Sequence, residues 1–252
     1  MDFSTRVDAP LLSIIIPAYN EESRLPATLE EITGFLQKQA YSYEVLIIEN
    51  GSSDRTLEIA QAFAQRFSFV YAYHETERGK GLAVRAGMLK ASGQYRFICD
   101  ADLSMPISEV NRFIPPLNAH HGVVIASREA PGAVRHNEPH YRHVTGRLFN
   151  WVVRILALPG LNDTQCGFKC FYAPVAEEIF PLQTIGGWTF DVEVLYIARR
   201  RGYTVSELPI HWYYNAESKV NILKDLRHVV GDLLTIRMNA LRGVYDAAPA
   251  KN

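Results

Sequence analysis

The sequence predicts a single α/β domain built on a mainly parallel central sheet that is covered on both faces. Three observations predict it. Through the first hundred residues, short apolar runs alternate with segments of helical periodicity, the pattern of right-handed strand–helix–strand crossovers. The strand runs are almost continuously apolar, as strands buried on both faces are. The chain has 252 residues, 48% of them hydrophobic, which supplies a sizeable core and argues against disorder.

The elements follow in order. Leu12-Ser13-Ile14-Ile15-Ile16 reads as a buried strand. Residues 21–39 read as a helix with Leu25, Leu29, Ile32, Phe35 and Leu36 on one face, and Asn20 is placed to cap it. Residues 44–48 read as a strand, and 54–66 as a helix with Asp54 as its cap. A third strand covers 69–73, a third helix 80–91 and a fourth strand 95–99. Further on, 123–126 reads as a strand. Residues 128–139, with Pro131-Gly132 and many polar side chains, read as a mobile loop. Residues 141–158 and 190–201 have helical patterns, and 167–172 and 204–212 read as strands. No repeat or clear linker interrupts the chain, and 216–252 reads as an amphipathic extension.

Composition narrows the function classes. A net charge of -1 is wrong for a protein that coats nucleic acid, so no nucleic-acid partner is expected. Cys99, Cys166 and Cys170 lack zinc spacing and form no Cys-x-x-Cys pair; they read as small core residues. An odd cysteine count without a secretory signal points to a reducing, cytoplasmic setting. The most apolar long segment, 222–242, carries Arg227 and Asp232 near its middle. Each costs roughly 2.5–3.5 kcal/mol at a bilayer centre, so the segment is not expected to span a membrane.

Ligands of such sheets bind at the carboxyl ends of strands. Three segments stand there: Pro17-Ala18-Tyr19-Asn20-Glu21, Glu49-Asn50-Gly51-Ser52-Ser53-Asp54 and Asp100-Ala101-Asp102. In extended chain Asp100 and Asp102 would share one face, offering hard oxygen ligands to Mg²⁺ or Mn²⁺. Such an ion neutralises a diphosphate and improves it as a leaving group. A lone Asp-x-Asp reads more readily as a solvated turn; its place after the apolar run Tyr95–Cys99 favours the metal. Arg78-Gly79-Lys80-Gly81 precedes a helix, so backbone and Lys80 can approach a phosphate.

Together these segments resemble family-2 glycosyltransferases of the glycosyltransferase-A fold. The resemblance is greatest to dolichyl- and polyprenyl-phosphate glucosyltransferases. It extends through Ser127-Arg128, Asp163-Thr164-Gln165-Cys166-Gly167-Phe168-Lys169, Trp188-Thr189-Phe190-Asp191-Val192-Glu193, Ser218-Lys219-Val220 and the run from Asp232 to Arg237. It implies an inverting, metal-assisted transfer from UDP-glucose or a related nucleotide sugar to a polyprenyl phosphate. Carried over by position, Pro17, Tyr19, Asn20, Glu21 and Asn50 bind the nucleotide, while Lys80, Asp100, Ala101 and Asp102 serve the diphosphate. Asp100 and Asp102 hold the metal. Arg128 and Arg142 hold the acceptor phosphate, for which a planar guanidinium fork is well suited. Asp102, Arg128 and Asp191 are the catalytic candidates, Asp191 as a base or as an orienting group.

Two departures bear on the donor. Glu49-Asn50 stands where the family usually has two acidic residues; Asn50 can accept and also donate, which leaves uracil and guanine open. Ser104 stands where the related mannosyltransferases tend to have Gln, which weakens a GDP-mannose reading. The other readings are a transferase with a soluble or glycan acceptor and an inactive nucleotide- or lipid-phosphate-binding module. The resemblance divides the chain into a catalytic domain over 1–215 and the extension over 216–252. Residues 141–158 place Val144, Leu148, Trp151, Val152 and Ile155 at helical spacing among arginines. Residues 222–242 do the same with Leu226, Val229, Val230, Leu233 and Leu241, flanked by Lys219, Lys224, Arg237 and Arg242. Both could lie on the cytoplasmic surface of a membrane, cover the sheet, or form a homodimer contact.

Overall fold

A computed structural model describes residues 9–119, 121–214 and 222–247. Strand β1 (Leu12–Ala18) is followed by α1 (Leu25–Leu36), β2 (Tyr43–Glu49), α2 (Thr56–Arg66), β3 (Val70–His74), α3 (Lys80–Lys90) and β4 (Tyr95–Ile98). Then come β5 (Val123–Ser127), β6 (Val134–His136), α4 (His140–Leu156), β7 (Lys169–Tyr172) and α5 (Ala173–Ile179). The described chain ends with α6 (Phe190–Arg200), β8 (Val205–Pro209), β9 (His211–Tyr213) and α7 (Ile222–Leu241).

Seven strands form one sheet in the order β3-β2-β1-β4-β7-β5-β8. All neighbours run parallel except β7, which is antiparallel to both β4 and β5. The mainly parallel, doubly covered sheet read from the sequence is therefore present. Side chains alternate between its faces. Ile14, Ile16, Val45 and Ile47 meet Leu25, Leu29 and Ile32 of α1 and Phe63 of α2 on one side. Ile15, Leu46 and Ile48 meet Val84 and Met88 of α3 on the other, where Val192 and Leu195 of α6 and Leu233 and Ile236 of α7 join. Cys99, Cys166 and Cys170 are buried free thiols within this packing.

Several local expectations are corrected. Helix α1 starts at Leu25, not at residue 21, because Pro26 occupies its first turn and Glu21 instead accepts turn hydrogen bonds from Arg24 and Leu25. Asn20 does not cap it: Asn20 adopts a left-handed φ of 52° and accepts a 2.8 Å hydrogen bond from the Ser53 amide. Asp54 does serve α2, accepting from the Thr56 amide at 3.0 Å. The segment 128–139 is not a free loop. Its β6 pairs with β9, and Arg135 ties it together through Glu129 at 2.5 Å and Glu138 at 2.6 Å. The single strand expected over 204–212 is two, β8 and β9, which pair in different sheets. Helix α5 was not anticipated: its seven residues are too few to show a helical period.

The two amphipathic segments are helices α4 and α7. The inner face of α7 buries Val229, Leu233, Ile236 and Ala240 in the core, while Leu234, Met238 and Leu241 stay exposed. On α4, Val153 is buried, but Trp151 and Ile155 are about 60% exposed (59% and 60%). Each apolar face is therefore part buried in the core and part exposed. Ser218, Lys219 and Val220, and the side chains of Lys224, Leu226, Val144 and Leu148, lie outside what is described.

Candidate active site

The parallel register brings the ends of β1, β2 and β4 to one edge. Ala18 pairs with Glu49, and Ile15 with Ile98. Because β7 runs the other way, its first residue, Lys169, arrives at that same edge between Ile98 and Ile125. A cleft of about 530 Å³ opens there, lined by Pro17, Tyr19, Glu21, Asn50, Lys80, Asp100, Ala101, Asp102, Arg128 and Asp191 among others.

At one end Arg78 stacks over the Tyr19 ring at 4.4 Å, above the buried Asn50. Glu49 does not line the cleft; its carboxylate accepts hydrogen bonds from the Ser52 amide and from His74 Nδ1. Burial opposes its ionisation, but the Ser52 amide and His74 outweigh it and hold the carboxyl below its ordinary range. Asn20 does not line the cleft. It acts on the 52–53 loop, accepting from the Ser53 amide and donating its own amide to the Ser52 hydroxyl at 3.0 Å.

The acidic pair lies at the centre. Strand β4 ends at Ile98, and Asp100-Ala101-Asp102 is a turn rather than extended chain; Leu103 follows with a left-handed φ of 41°. The turn, not strand alternation, is what directs both carboxylates to the cleft. Thr28 of α1 fixes it by donating to the Ala101 carbonyl at 2.7 Å. Lys80 Nζ sits 2.6 Å from Asp100 Oδ1 and 4.8 Å from the Trp188 ring. Burial raises the Asp100 carboxyl, but Lys80, with Lys169 and Arg128, brings it below the ordinary value. Asp102 is pushed up, by burial and then by the Asp100 charge. Two glycines are closely packed at and behind the wall. A Cβ on Gly167 would strike the Asp100 carboxylate, and one on Gly81 would come within 2.6 Å of the Ile185 carbonyl.

At the other end Arg128 is gripped by Asp163. Its Nε and Nη2 donate to the two carboxylate oxygens at 2.6 and 2.9 Å, and its amide donates at 3.0 Å. The Arg128 guanidinium lies 5.4 Å from the Trp212 ring. Asp163 is fully buried, yet Arg128 outweighs that burial and holds its carboxyl at about 2. Asp191 lines the cleft beside Lys169, whose Nζ is 2.8 Å from Asp191 Oδ1. Burial raises the Asp191 carboxyl; Lys169 and Lys80 offset part of that. Arg142 lies in α4, and its side chain is outside what is described.

Among the described residues no three His, Cys, Asp or Glu side chains are placed to enclose a metal ion. Asp100 and Asp102 supply two hard oxygen donors to the cleft, the ligand type that suits Mg²⁺ or Mn²⁺, with Lys80 already in contact with Asp100.

Residue-by-residue reading missed Arg24, Arg135, Gln165 and Trp212 in the cleft wall and the buried Lys169 behind Asp191. Gln165 and Lys169 lie in a motif already singled out, without any period or spacing to distinguish them from its core residues.

Residues 13–178 match the family described as Glycosyl transferase family 2. The chain is 34% identical over 250 residues to a dolichyl-phosphate beta-glucosyltransferase of Trichomonas vaginalis, covering 93% of this chain and 76% of that one. It is 31% identical over 249 residues to the human dolichyl-phosphate beta-glucosyltransferase, covering 93% and 77%. Among solved structures, the Mycobacterium tuberculosis glucosyl-3-phosphoglycerate synthase with Mn²⁺, UDP-glucose and phosphoglyceric acid matches with a TM-score of 0.67 at 15% identity, over 90% of this chain and 79% of that one. That likeness shows a shared fold.

Proposed function

The chain belongs to glycosyl transferase family 2, and from that premise we propose that it transfers glucose from UDP-glucose to dolichyl phosphate or another polyprenyl phosphate, inverting the sugar's C1. The observation that carries this reading is Arg128: it lines the same cleft as Asp100 and Asp102 and is held rigid by Asp163. A positioned guanidinium opposite a diphosphate site suits an acceptor that is itself a phosphate.

In this reading Pro17, Tyr19, Glu21 and Asn50 border the base and ribose, and Asn20 supports them through the 52–53 loop. The Asn50 carboxamide accepts the N3–H of uracil through its oxygen. Lys80, Asp100, Ala101 and Asp102 serve the diphosphate, with Asp100 and Asp102 as ligands of Mg²⁺ or Mn²⁺. A divalent cation there neutralises charge on the departing diphosphate. Asp163 occupies Nε and Nη2 of Arg128, which leaves Nη1 outside that pair for the acceptor phosphate; Arg142 is assigned to the same phosphate by the family resemblance alone. A phosphate oxygen attacks C1, the bond from C1 to the diphosphate oxygen breaks, and UDP departs with the electron pair. The acceptor is already anionic near neutral pH, so no proton must be removed first. Asp191 then orients the acceptor.

The chain divides functionally into the catalytic domain, 1–215, and a docking extension, 216–252. No helix among the described residues is long and apolar enough to cross a membrane. Trp151, Ile155, Leu234, Met238 and Leu241 are exposed, with Arg147, Arg154, Arg237 and Arg242 exposed around them. This composition fits the cytoplasmic surface of an anionic bilayer. A homodimer through the same face is the competing occupant, and sedimentation with and without vesicles separates the two.

The test is a panel of UDP- and GDP-sugars with a short polyprenyl phosphate and Mn²⁺ or Mg²⁺, read by mass spectrometry. A glucosyl phospholipid from UDP-glucose is expected. Failure to form glycolipid with every sugar overturns the reading, and transfer from GDP-mannose alone replaces it.

A further inference from the structure

We infer that Lys169 is a positioning residue that fixes the Asp191 carboxylate and balances its charge at the acceptor end of the cleft. The inference rests on the role given to Asp191 above. Lys169 opens β7, flanked by Ile98 and Ile125 in the middle of the sheet, and its side chain is fully buried. Phe171, two residues on and therefore on the same face, packs in the cluster that contains Phe190 and Val194 of α6. A buried ammonium in such surroundings requires a partner. Lys169 has two: Asp191 Oδ1 at 2.8 Å and the Cys166 carbonyl.

The two members of the pair stand differently towards the cleft. Asp191 lines it, whereas Lys169 is not part of its wall. Lys169 therefore reaches a ligand by no direct contact; its contact with the cleft wall runs through Asp191, and its charge also bears on Asp100 at longer range. The other charges facing Asp191 are Lys80 and Asp100, and Lys80 is in contact with Asp100 at 2.6 Å. Lys169 is thus the cation in direct contact with Asp191.

This arrangement answers a difficulty in the proposed chemistry. An acceptor phosphate is anionic, and an unbalanced carboxylate beside it would repel it. A carboxylate held through Oδ1 by a buried ammonium offers Oδ2, with little net charge, as an oriented acceptor for a hydroxyl hydrogen of the sugar or of a singly charged phosphate. The same short segment also touches the donor side, because Gly167 lies against the Asp100 carboxylate. Residues 166–169 therefore set the separation between the two carboxylates.

The test is a double-mutant cycle on the full chain: parent, Lys169→Met, Asp191→Asn and the double variant. Transfer rates are measured with nucleotide sugar and lipid phosphate varied separately, and urea midpoints are measured alongside. Lys169→Met is expected to lower kcat/KM for the lipid phosphate by about 10- to 100-fold when Asp191 is present, and by less than about threefold in the Asp191→Asn background. The double variant is expected to recover the urea midpoint that each single variant loses. An equal loss in both backgrounds overturns the inference, since a merely structural lysine would show that. Where Lys169→Met does not fold, Lys169→Arg takes its place. A rise in KM for the lipid phosphate that disappears with Asp191→Asn supports the inference, and an equal rise overturns it. Full turnover by Asp191→Asn removes the role of Asp191 and the inference with it. Lost turnover without coupling removes the inference alone.

Discussion

Replacing Asp163 by Asn tests the anchor of the acceptor end. Asp163 is fully buried and accepts three hydrogen bonds from Arg128, two to its guanidinium and one to its amide. Those contacts hold its carboxyl at about 2, against 3.8 for the free group. At 1.36 kcal/mol per pKa unit this corresponds to about 2 kcal/mol of folded-state stability. The sign follows from the depression. The stabilisation is complete above 3.8 and fades as the pH falls from there towards 2. Removing one partner of a buried pair also leaves the other poorly compensated, a loss of about 3–5 kcal/mol where burial is complete. Arg128 retains 20% side-chain exposure, so the smaller figure governs. Asp163→Asn is expected to lose about 2–3 kcal/mol at neutral pH in urea unfolding followed by tryptophan fluorescence. The gap should narrow as the pH is lowered below 3.8. A variant within about half a kcal/mol of the parent at neutral pH, or a gap that ignores pH, would refute the reasoning.

Three further outcomes are expected. Asp102→Ala should lower kcat by about 10²–10³ while the urea midpoint stays put, and Mn²⁺ binding followed by electron paramagnetic resonance should weaken; unchanged Mn²⁺ affinity would remove Asp102 as a ligand. Tyr245→Phe takes a 2.7 Å hydrogen bond from the buried Glu193, which also accepts from the Thr184 and Ile185 amides. It should cost about 1–3 kcal/mol in thermal or urea unfolding. Changing both Trp151 and Ile155 to Glu should abolish sedimentation with anionic vesicles while leaving the far-ultraviolet circular dichroism unchanged; persistent sedimentation would place the membrane contact elsewhere.

The first half of the fold was legible because each strand there is a run of apolar residues closed by a turn or helix signal. Leu12–Ala18, Tyr43–Glu49 and Tyr95–Ile98 all extend or trim the expected runs by no more than two residues at either end. The boundaries failed where side-chain chemistry competes with periodicity. Asn20 suits a helix cap in sequence, but its oxygen is claimed by the Ser53 amide, and Pro26 begins the helix later. Polar residues 128–139 read as loop because their cohesion comes from Arg135 and its two glutamates, contacts that no local pattern encodes. The cleft segments after β1, β2 and β4 were legible for the same reason as the strands, since they directly follow them. Arg128 was named only through the family resemblance, and its pairing with Asp163 was not legible. Arg128 and Asp163 are thirty-five residues apart, and only the folded sheet brings them together.

The antiparallel β7 explains why the two ends differ in this way. Parallel strands deliver only their final residues to the carboxyl edge, and those of β1, β2 and β4 lead into segments that line the cleft. A strand running against them delivers its first residue and whatever precedes it. The approach to β7 thus carries Asp163, Gly167 and Lys169 into the edge from the opposite direction, where they meet Arg128, Asp100 and Asp191. The pairings of Ile98 and Ile125 with Lys169 fix this register. A slip of one residue would turn Lys169 to the opposite sheet face, away from α6, and put a core thiol, Cys170, in its place. The register of one four-residue strand therefore determines whether Asp191 has its counter-charge.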